Sequence, residues 1–497
     1  MTAPALPPDA ARADRIFFRW VFPALLIGIF LVYGTFRQRY IGATDWYGYY
    51  QQAELLKTGS VYLPTALPPG EFPAIVPLGY MPIGVHAVPL YTPGFPLLLA
   101  AASFVKLTFF VPPLVGLASC LLIFFLIRDF TDRWTAAVFT LAWAFLPIVV
   151  FGSTTLMSDL VAATALMGAY FAYRRGQLLL SAWILGYGFS VRPTNVLFLA
   201  VLVVLLLRDR RLIRYGLYLL GPVLLYSLYN YKIYGSPFRT GYADFRTDLV
   251  AAVFPQHFGF YLWFTLAQFT PVLIGLALWG LRPFSREKLF LVLWFAALLV
   301  FYSFWLSGGD RWWWTRFLLP AYPALFVLAA CGFSRLRERW HQTAINPPWR
   351  DRRIVVLFAA VALLPLWEIG FGWRQKDLWQ LHKGHGYYDI VEHVAALVPA
   401  DSYVGSVEFS GSFHVYTQIT GFVSMMDSAT NVAREGLRQK RPVYLLVEPW
   451  NLDLPAVHQL QRQFTAVKIA EISQEGWGKL PLYRLTLPAP AVLPASR

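Results

Sequence analysis

Cysteine is almost missing from this chain: Cys120 and Cys331 are the two in 497 residues, and both lie in apolar segments. Two residues so placed give neither a disulfide framework nor a zinc site. Charge is scarce as well. Asp, Glu, Lys and Arg make up 14% of the chain, against about 25% in an ordinary soluble domain. Acids are the scarcest, 27 against 42 Lys and Arg. No Walker loop, G-x-G-x-x-G, H-E-x-x-H or G-x-S-x-G stands in a supporting context, which removes the usual nucleotide, zinc-protease and serine-hydrolase readings. His86 and His257 are isolated in sequence, so no metal site is assigned. The net charge of +15 raises nucleic acid as a partner. The basic residues, however, fall in short clusters between apolar runs, the pattern of cytoplasmic loops in a membrane protein. Nucleic acid is set aside.

What the chain does have is apolar length. Hydrophobic residues are 57% of it and aromatics 17%, in repeated runs of roughly 18–20 residues that read as membrane helices. Arg12, Arg15 and Arg19 precede the first run and place the N-terminus in the cytoplasm. That run lacks a small-x-small cleavage site and reads as an uncleaved span, 17–36. The polar loop 37–90 is then extracytoplasmic. Residues 93–127 divide into a juxtamembrane helix, 94–107, and a crossing, 113–127, because two crossings would put Arg128 and Arg133 outside. The remaining spans are 134–151, 160–173, 178–189, 196–207, 215–229, 261–281, 289–306, 317–333 and 354–371, giving about eleven crossings.

The expected fold is therefore an all-α polytopic membrane protein with a small C-terminal α/β domain. Residues 1–371 form the transmembrane part. Residues 372–487 alternate helix-like pieces (387–397, 431–439, 456–464) with short β-type runs (403–407, 422–426, 443–447, 467–472, 480–487), which reads as an α/β domain. By parity it lies outside. Residues 488–497 are a Pro/Ala-rich tail, expected to be disordered.

This topology collects Asp45, Tyr91, Asp159, Arg192, Arg239, Arg246, His257, Asp310, Arg311 and Arg316 on one side. Arg192 sits in Ser-Val-Arg-Pro-Thr-Asn, a tight turn between two apolar helices with no acid nearby in sequence. It is either a snorkelling helix-end arginine or a contact to a lipid-linked phosphate, which a planar guanidinium suits. Asp45 precedes Trp46, Tyr47, Tyr49 and Tyr50, and Thr44 or Asp45 serves equally well as a helix cap. Asp159 heads a returning helix, where the dipole favours an acid in any case. Around Asp310, Gly308 and Gly309 break the chain and three tryptophans follow between Arg311 and Arg316. Interfacial anchoring explains the tryptophans better than it explains the arginines.

The order of these pieces resembles the GT-C superfamily of integral-membrane glycosyltransferases, the group that includes protein O-mannosyltransferases and aminoarabinose transferases. Asp45 follows the first span and opens a Tyr-rich helix. The run from Tyr91 through Pro93 and Pro96 looks like the family's juxtamembrane helix. Ser158–Asp159, Arg192–Pro193–Thr194, the segment from Asn230 to Tyr242 and that from Trp314 to Pro320 complete the set, over roughly residues 17–371. Asp45 is followed by Trp46 where many members carry a second acid.

The resemblance implies transfer of a sugar from a polyprenyl-phosphate donor to a hydroxyl acceptor, with inversion, on the periplasmic face of a bacterial inner membrane. Asp45 is then the general base and Asp159 a second catalytic acid residue. Arg192, Arg311 and Arg316 are the donor phosphate ligands, with Tyr49, Tyr91 and Arg239 as substrate contacts. Membrane lipid and a lipid, glycan or protein acceptor are the other partners. No cofactor is specified, and a divalent metal is left open. Two competing classes are a lipid-linked glycan transporter or flippase and a non-catalytic envelope assembly subunit. The first calls for midplane polar residues or internal repeats, which the apolar runs lack.

Overall fold

In hydrocarbon a backbone amide has no water to bond, so an apolar run closes its own hydrogen bonds as a helix. In the computed structural model, which describes residues 15–208, 211–242, 245–306, 308–309, 311–343, 352–374 and 378–488, the apolar runs are helices. Arg12, Asp310 and residues 489–497, all used in the sequence reading, lie outside that set, as does the side chain of Arg246. Among the described residues five helices are long and apolar enough to cross a membrane: Phe17–Thr35, Thr108–Arg128, Leu212–Tyr234, Ala251–Gly280 and Trp312–Trp340. A sixth is a bent pair, Arg133–Phe145 and Pro147–Thr154, inclined at 66°. Pro147 lacks an N–H and its ring clashes with the preceding turn, so the single span expected over 134–151 is two helices.

The chain is thus a mostly helical, multi-span membrane protein with a small C-terminal α/β region. Length and composition identify five or six spans, against the eleven expected. Part of the difference lies in short helices. Asp159–Arg174, Leu178–Val191 and Val196–Arg208 have 16, 14 and 13 residues, below the roughly 20 that a bilayer core asks of an untilted helix.

Two compact units emerge. The first comprises Met1–Arg37, Phe109–Tyr226 and Ala243–Leu381; the second comprises Gln38–Thr108, Ser227–Tyr242 and His382–Arg497. In the first, the side chains of Trp143, Trp294, Tyr33, Tyr170 and Tyr322 are fully buried, and Tyr33 donates its hydroxyl to the Ala144 carbonyl at 2.6 Å. Helices Phe254–Gly280 and Tyr322–Thr343 touch backbone to backbone. A Cβ on Gly280 would fall 1.9 Å from the Leu328 oxygen, and one on Gly332 1.9 Å from the Leu276 oxygen. Small residues at helix contacts let membrane helices approach this closely.

The second unit gathers the polar loop after the first span and the α/β region, which the sequence reading kept apart. Helix Thr44–Lys57 is followed by the hairpin β1 (Tyr80–Ile83) and β2 (His86–Pro89), then by helix Gly94–Ser103. The other strands are β3 (Tyr403–Ser406), β4 (Thr420–Val423), β5 (Val443–Leu446), β6 (Thr465–Gln474) and β7 (Gly478–Thr486). They form one sheet in the order β4-β3-β5-β7-β6. β4, β3 and β5 run parallel, and β7 and β6 continue antiparallel. Short helix Ser410–Tyr416 follows β3 and packs on the loop. The Tyr47 ring lies 2.4 Å from where a Cβ on Gly411 would be, so only glycine fits there. Leu78 N donates to Ser410 Oγ at 3.4 Å, and Ile41 N donates to the Tyr416 hydroxyl.

Candidate active site

Two clusters hold the residues singled out in the sequence, one in each unit. In the first unit, helix Leu178–Val191 ends at Arg192, whose extended backbone (φ −145°, ψ 117°) is the conformation Pro193 imposes on its predecessor. This turn delivers the guanidinium to the N-terminus of helix Asp159–Arg174. Arg192 Nη2 lies 2.7 Å from Asp159 Oδ1. The two residues are 8% and 1% exposed, so the contact is a buried ion pair. The acid missing from the neighbouring sequence is supplied from 33 positions upstream, and Arg192 does not snorkel.

Around the pair, Arg192 Nε donates to Ser158 Oγ at 3.3 Å, and Thr194 Oγ1 lies 2.8 Å from the Tyr302 hydroxyl. The Tyr302 ring stacks on Phe317 with centroids 5.0 Å apart. Arg192 lies over the same Phe317 ring at 5.1 Å.

Arg316 comes from the 3₁₀ stretch Trp312–Ala321 and is 7% exposed. Its Nη1 meets Met157 Sδ at 3.3 Å, and its guanidinium lies 5.1–5.4 Å from the Trp313, Trp314 and Phe317 rings. Phe317 is thus shared by both arginines. Two guanidiniums and the carboxylate of Asp159 stand together in one buried group. Arg311, at the head of the same stretch, is exposed.

In the second unit, Ala43 (φ 51°) turns the chain into helix Thr44–Lys57 without a side-chain cap. Asp45 instead accepts a hydrogen bond from the Tyr91 hydroxyl at 2.5 Å. Tyr91 is buried, and its phenol is pushed well above its ordinary range by burial and then by the Asp45 charge. The hydroxyl therefore stays protonated as a donor to Asp45. Tyr91 packs against Tyr49 at 4.4 Å, and Tyr49 meets Phe95 edge-on at 5.1 Å. Gly48 makes room: a Cβ there would fall 2.2 Å from the Tyr91 ring. Arg239 is exposed and shares no described contact with this group. Tyr242, three residues on, does, its ring 6.1 Å from that of Tyr91.

Sequence reasoning also missed Glu408 and Glu448. Glu448 is buried and Glu408 half-buried. Burial, the Glu448 charge and the Asp45 charge push Glu408 up to about 7. Neither residue stands in a recognisable motif; the signal was position, each directly after one of the β-type runs, 403–407 and 443–447. His257 Nδ1 lies 2.8 Å from the Trp305 carbonyl, and His86 stacks on Tyr62. Among the described residues no three His, Cys, Asp or Glu side chains form a metal-ligating group, and no step is assigned to a metal.

No protein-family model and no curated protein sequence matches this chain. Solved structures do. ArnT from Cupriavidus metallidurans bound to undecaprenyl phosphate is 14% identical with a TM-score of 0.60, over 94% of this chain and 98% of that one. The archaeal oligosaccharyltransferase AglB from Archaeoglobus fulgidus, in complex with an inhibitory peptide and a dolichol-phosphate, is 12% identical with a TM-score of 0.55, over 96% of this chain and 75% of that one. The mycobacterial arabinofuranosyltransferase AftD is 13% identical with a TM-score of 0.54, over 94% of this chain and 40% of that one. The resemblance to GT-C membrane glycosyltransferases expected from the motifs is thus present in the fold over nearly the whole chain. At these identities it is a likeness of fold.

Proposed function

We propose that this chain is a membrane glycosyltransferase that moves a sugar from a polyprenyl-phosphate-linked donor to a hydroxyl acceptor, with inversion. The observation that carries the reading is the pair of buried guanidiniums, Arg192 and Arg316, that share the Phe317 ring beside Asp159. Guanidiniums set side by side suit the oxygens of an anionic substrate group. A lipid phosphate has that charge, and its tail requires the enzyme to be in the membrane.

Asp45 takes the proton of the acceptor hydroxyl. The oxygen then attacks the anomeric carbon, the bond from that carbon to the phosphate oxygen breaks, and polyprenyl phosphate leaves with the bonding electrons. Arg192 and Arg316, with Arg311 at the exposed edge, stabilise the charge that grows on the leaving phosphate. Asp159 holds Arg192 in position. Tyr91 orients the Asp45 carboxylate through its hydrogen bond, and Tyr49, Tyr91 and Arg239 contact substrate. The topology that goes with this reaction has about eleven crossings, since short helices cross where tilt and local thinning allow. The N-terminus is cytoplasmic and the α/β region extracytoplasmic, in a bacterial inner membrane.

The test is transfer by the detergent-purified protein from a panel of labelled polyprenyl-phosphate sugars in the presence of crude envelope extract. Label should pass to an acceptor with release of polyprenyl phosphate. Asp45→Asn should lower turnover by about 10²–10⁴-fold while leaving donor binding intact. Saturable donor binding without transfer, or transfer indifferent to Asp45, would overturn the proposal.

A further inference from the structure

The sheet of the second unit has a feature that the proposed reaction does not use. β3 and β5 are parallel neighbours. From β3 the chain leaves through helix Ser410–Tyr416 to β4, on one side; from β5 it goes on to β6 and β7, on the other. Connections that diverge in this way open a crevice at the carboxyl ends of the two strands, the place where open α/β sheets bind ligands.

Glu448 builds its floor. This side chain is 1% exposed, and its Oε1 accepts from both Val407 N and Glu408 N at 2.9 Å. Asn451 Nδ2 donates to the other oxygen at 3.4 Å. The loop after β5 is thereby tied to the loop after β3, with the half-buried Glu408 carboxyl between them.

Aromatic rings line the same place. Trp477 lies 4.8 Å from Phe409, 5.1 Å from Trp450 and 4.8 Å from Tyr387. Tyr387 in turn lies 6.1 Å from Trp46, the residue after Asp45. Trp477 is carried on the β6–β7 turn between Gly476 and Gly478, whose φ values of 81° and 77° suit glycine alone. Gly386 clears space for its indole, since a Cβ there would sit 3.1 Å from Trp477 Nε1. Trp450 nevertheless remains 54% exposed. The run of rings starts on the core, where Phe409 is buried and Tyr387 and Trp477 pack against it, and extends outward to an exposed tryptophan and to the neighbour of the candidate base. It has the form of a binding surface.

The chemistry of that surface selects its ligand. Indole and phenol faces carry negative charge density and favour C–H groups laid flat on them. A carboxylate beside them accepts hydrogen bonds from hydroxyls. One face of C–H and a rim of hydroxyl groups describe a sugar ring. A peptide bound by strand addition needs an open sheet edge, and β3 and β5 are paired on both sides. An acyl chain would desolvate Glu408 without giving it a partner.

We infer that Trp450, Trp477 and Tyr387, with Glu408, form a carbohydrate subsite that holds a glycan acceptor so that a terminal hydroxyl reaches Asp45. The inference rests on the transferase reading and adds the class of acceptor to it.

The experiment titrates the full-length protein in detergent with defined mannose, glucose, xylose and N-acetylglucosamine tetrasaccharides, read by tryptophan fluorescence. A Ser/Thr-rich peptide and a lysolipid serve as comparators. At least one oligosaccharide should bind saturably. Trp450→Ala should weaken it about tenfold or more, Glu408→Gln several-fold, and Trp450→Phe should restore part of the loss. In the transfer assay the same Trp450→Ala change should raise the acceptor KM by a similar factor.

Failure of every oligosaccharide to bind, binding indifferent to Trp450, or Trp450-dependent binding of the peptide or lysolipid instead would each overturn the inference. An acceptor KM unmoved by Trp450→Ala, with transfer measurable, would overturn it and leave the transferase reading standing. Trp450-dependent oligosaccharide binding in a protein that neither binds nor cleaves any donor would do the reverse, upholding the carbohydrate subsite and ending the transferase reading.

Discussion

Replacing Asp159 by Asn keeps the side-chain volume and removes the countercharge of Arg192. The charge centres of such a pair are about 4 Å apart, and at an effective dielectric near 20 their attraction is about 4 kcal/mol. Breaking a buried pair by removing one partner costs about 3–5 kcal/mol, because the remaining charge stays desolvated. Arg192→Met strands Asp159, the more deeply buried of the two, and should cost about as much. The double variant Asp159→Asn/Arg192→Met removes both charges and should cost about as much as one single change, well short of the sum. The measurement is equilibrium unfolding of the purified protein by SDS in mixed micelles, followed by tryptophan fluorescence, for all four members of the cycle. Single costs below 1 kcal/mol, or a double variant equal to the sum, would show that the 2.7 Å contact carries no coupling and would dissolve the anion site with it. Where Asp159→Asn remains folded, the group has lost one negative charge, and polyprenyl phosphate should bind more tightly.

Tyr91→Phe removes the hydroxyl that holds Asp45 while keeping the ring stack on Tyr49; turnover should fall about tenfold or more, as expected for a charge-assisted bond of about 1.5–3 kcal/mol, and unchanged turnover would remove the orienting role. Glu408, whose folded value of about 7 stands above its ordinary 4.5, contributes stability that is fully present below about pH 4.5 and lost as pH rises through 7. Glu408→Gln should therefore unfold like the parent at pH 5 and be the more stable at pH 8, by up to about 3 kcal/mol less whatever solvent screening removes. Gly48→Ala drives a methyl into the Tyr91 ring and should cost about 1–3 kcal/mol, with a loss of transfer that a Gly34→Ala control, in open space, does not share. Gly332→Ala forces helices Phe254–Gly280 and Tyr322–Thr343 apart and should lower unfolding stability by a similar amount, measured in the same SDS titration.

Local order was legible in the sequence where a period and a boundary coincided. The five β-type runs and three helical pieces of the α/β region fall within a few residues of the observed elements, because alternation and capping are short-range. The split of residues 93–127 into Gly94–Ser103 and Val111–Arg128 followed from charge placement alone. Helix Ser410–Tyr416 was missed, as its Ser-Gly-Ser opening carries little helical propensity and the helix is held by packing on Tyr47. The bend at Pro147 was visible in the residue but outweighed by the apolar length around it.

Pairings were out of reach of a single sequence. Asp159 and Arg192 meet because two helices pack side by side. Asp45 and Tyr91 meet because Gly48 lets a ring lie on a helix. Arg239 stands at an exposed position, while Tyr242, three residues on, lies beside Tyr91.

The second unit is discontinuous, and this gives it a history during synthesis. Ile41 and Tyr416, joined by a hydrogen bond beside the helix of Asp45, are 375 positions apart. At about 5–20 residues per second the ribosome needs on the order of 20–75 s to make the second after the first. Through that interval the Thr44–Lys57 helix waits without its cover, while every span between is threaded into the bilayer. The surface around that helix is completed only once Tyr416 has emerged. A chain cut before Tyr416 leaves Ile41 N, beside that helix, without its hydroxyl partner.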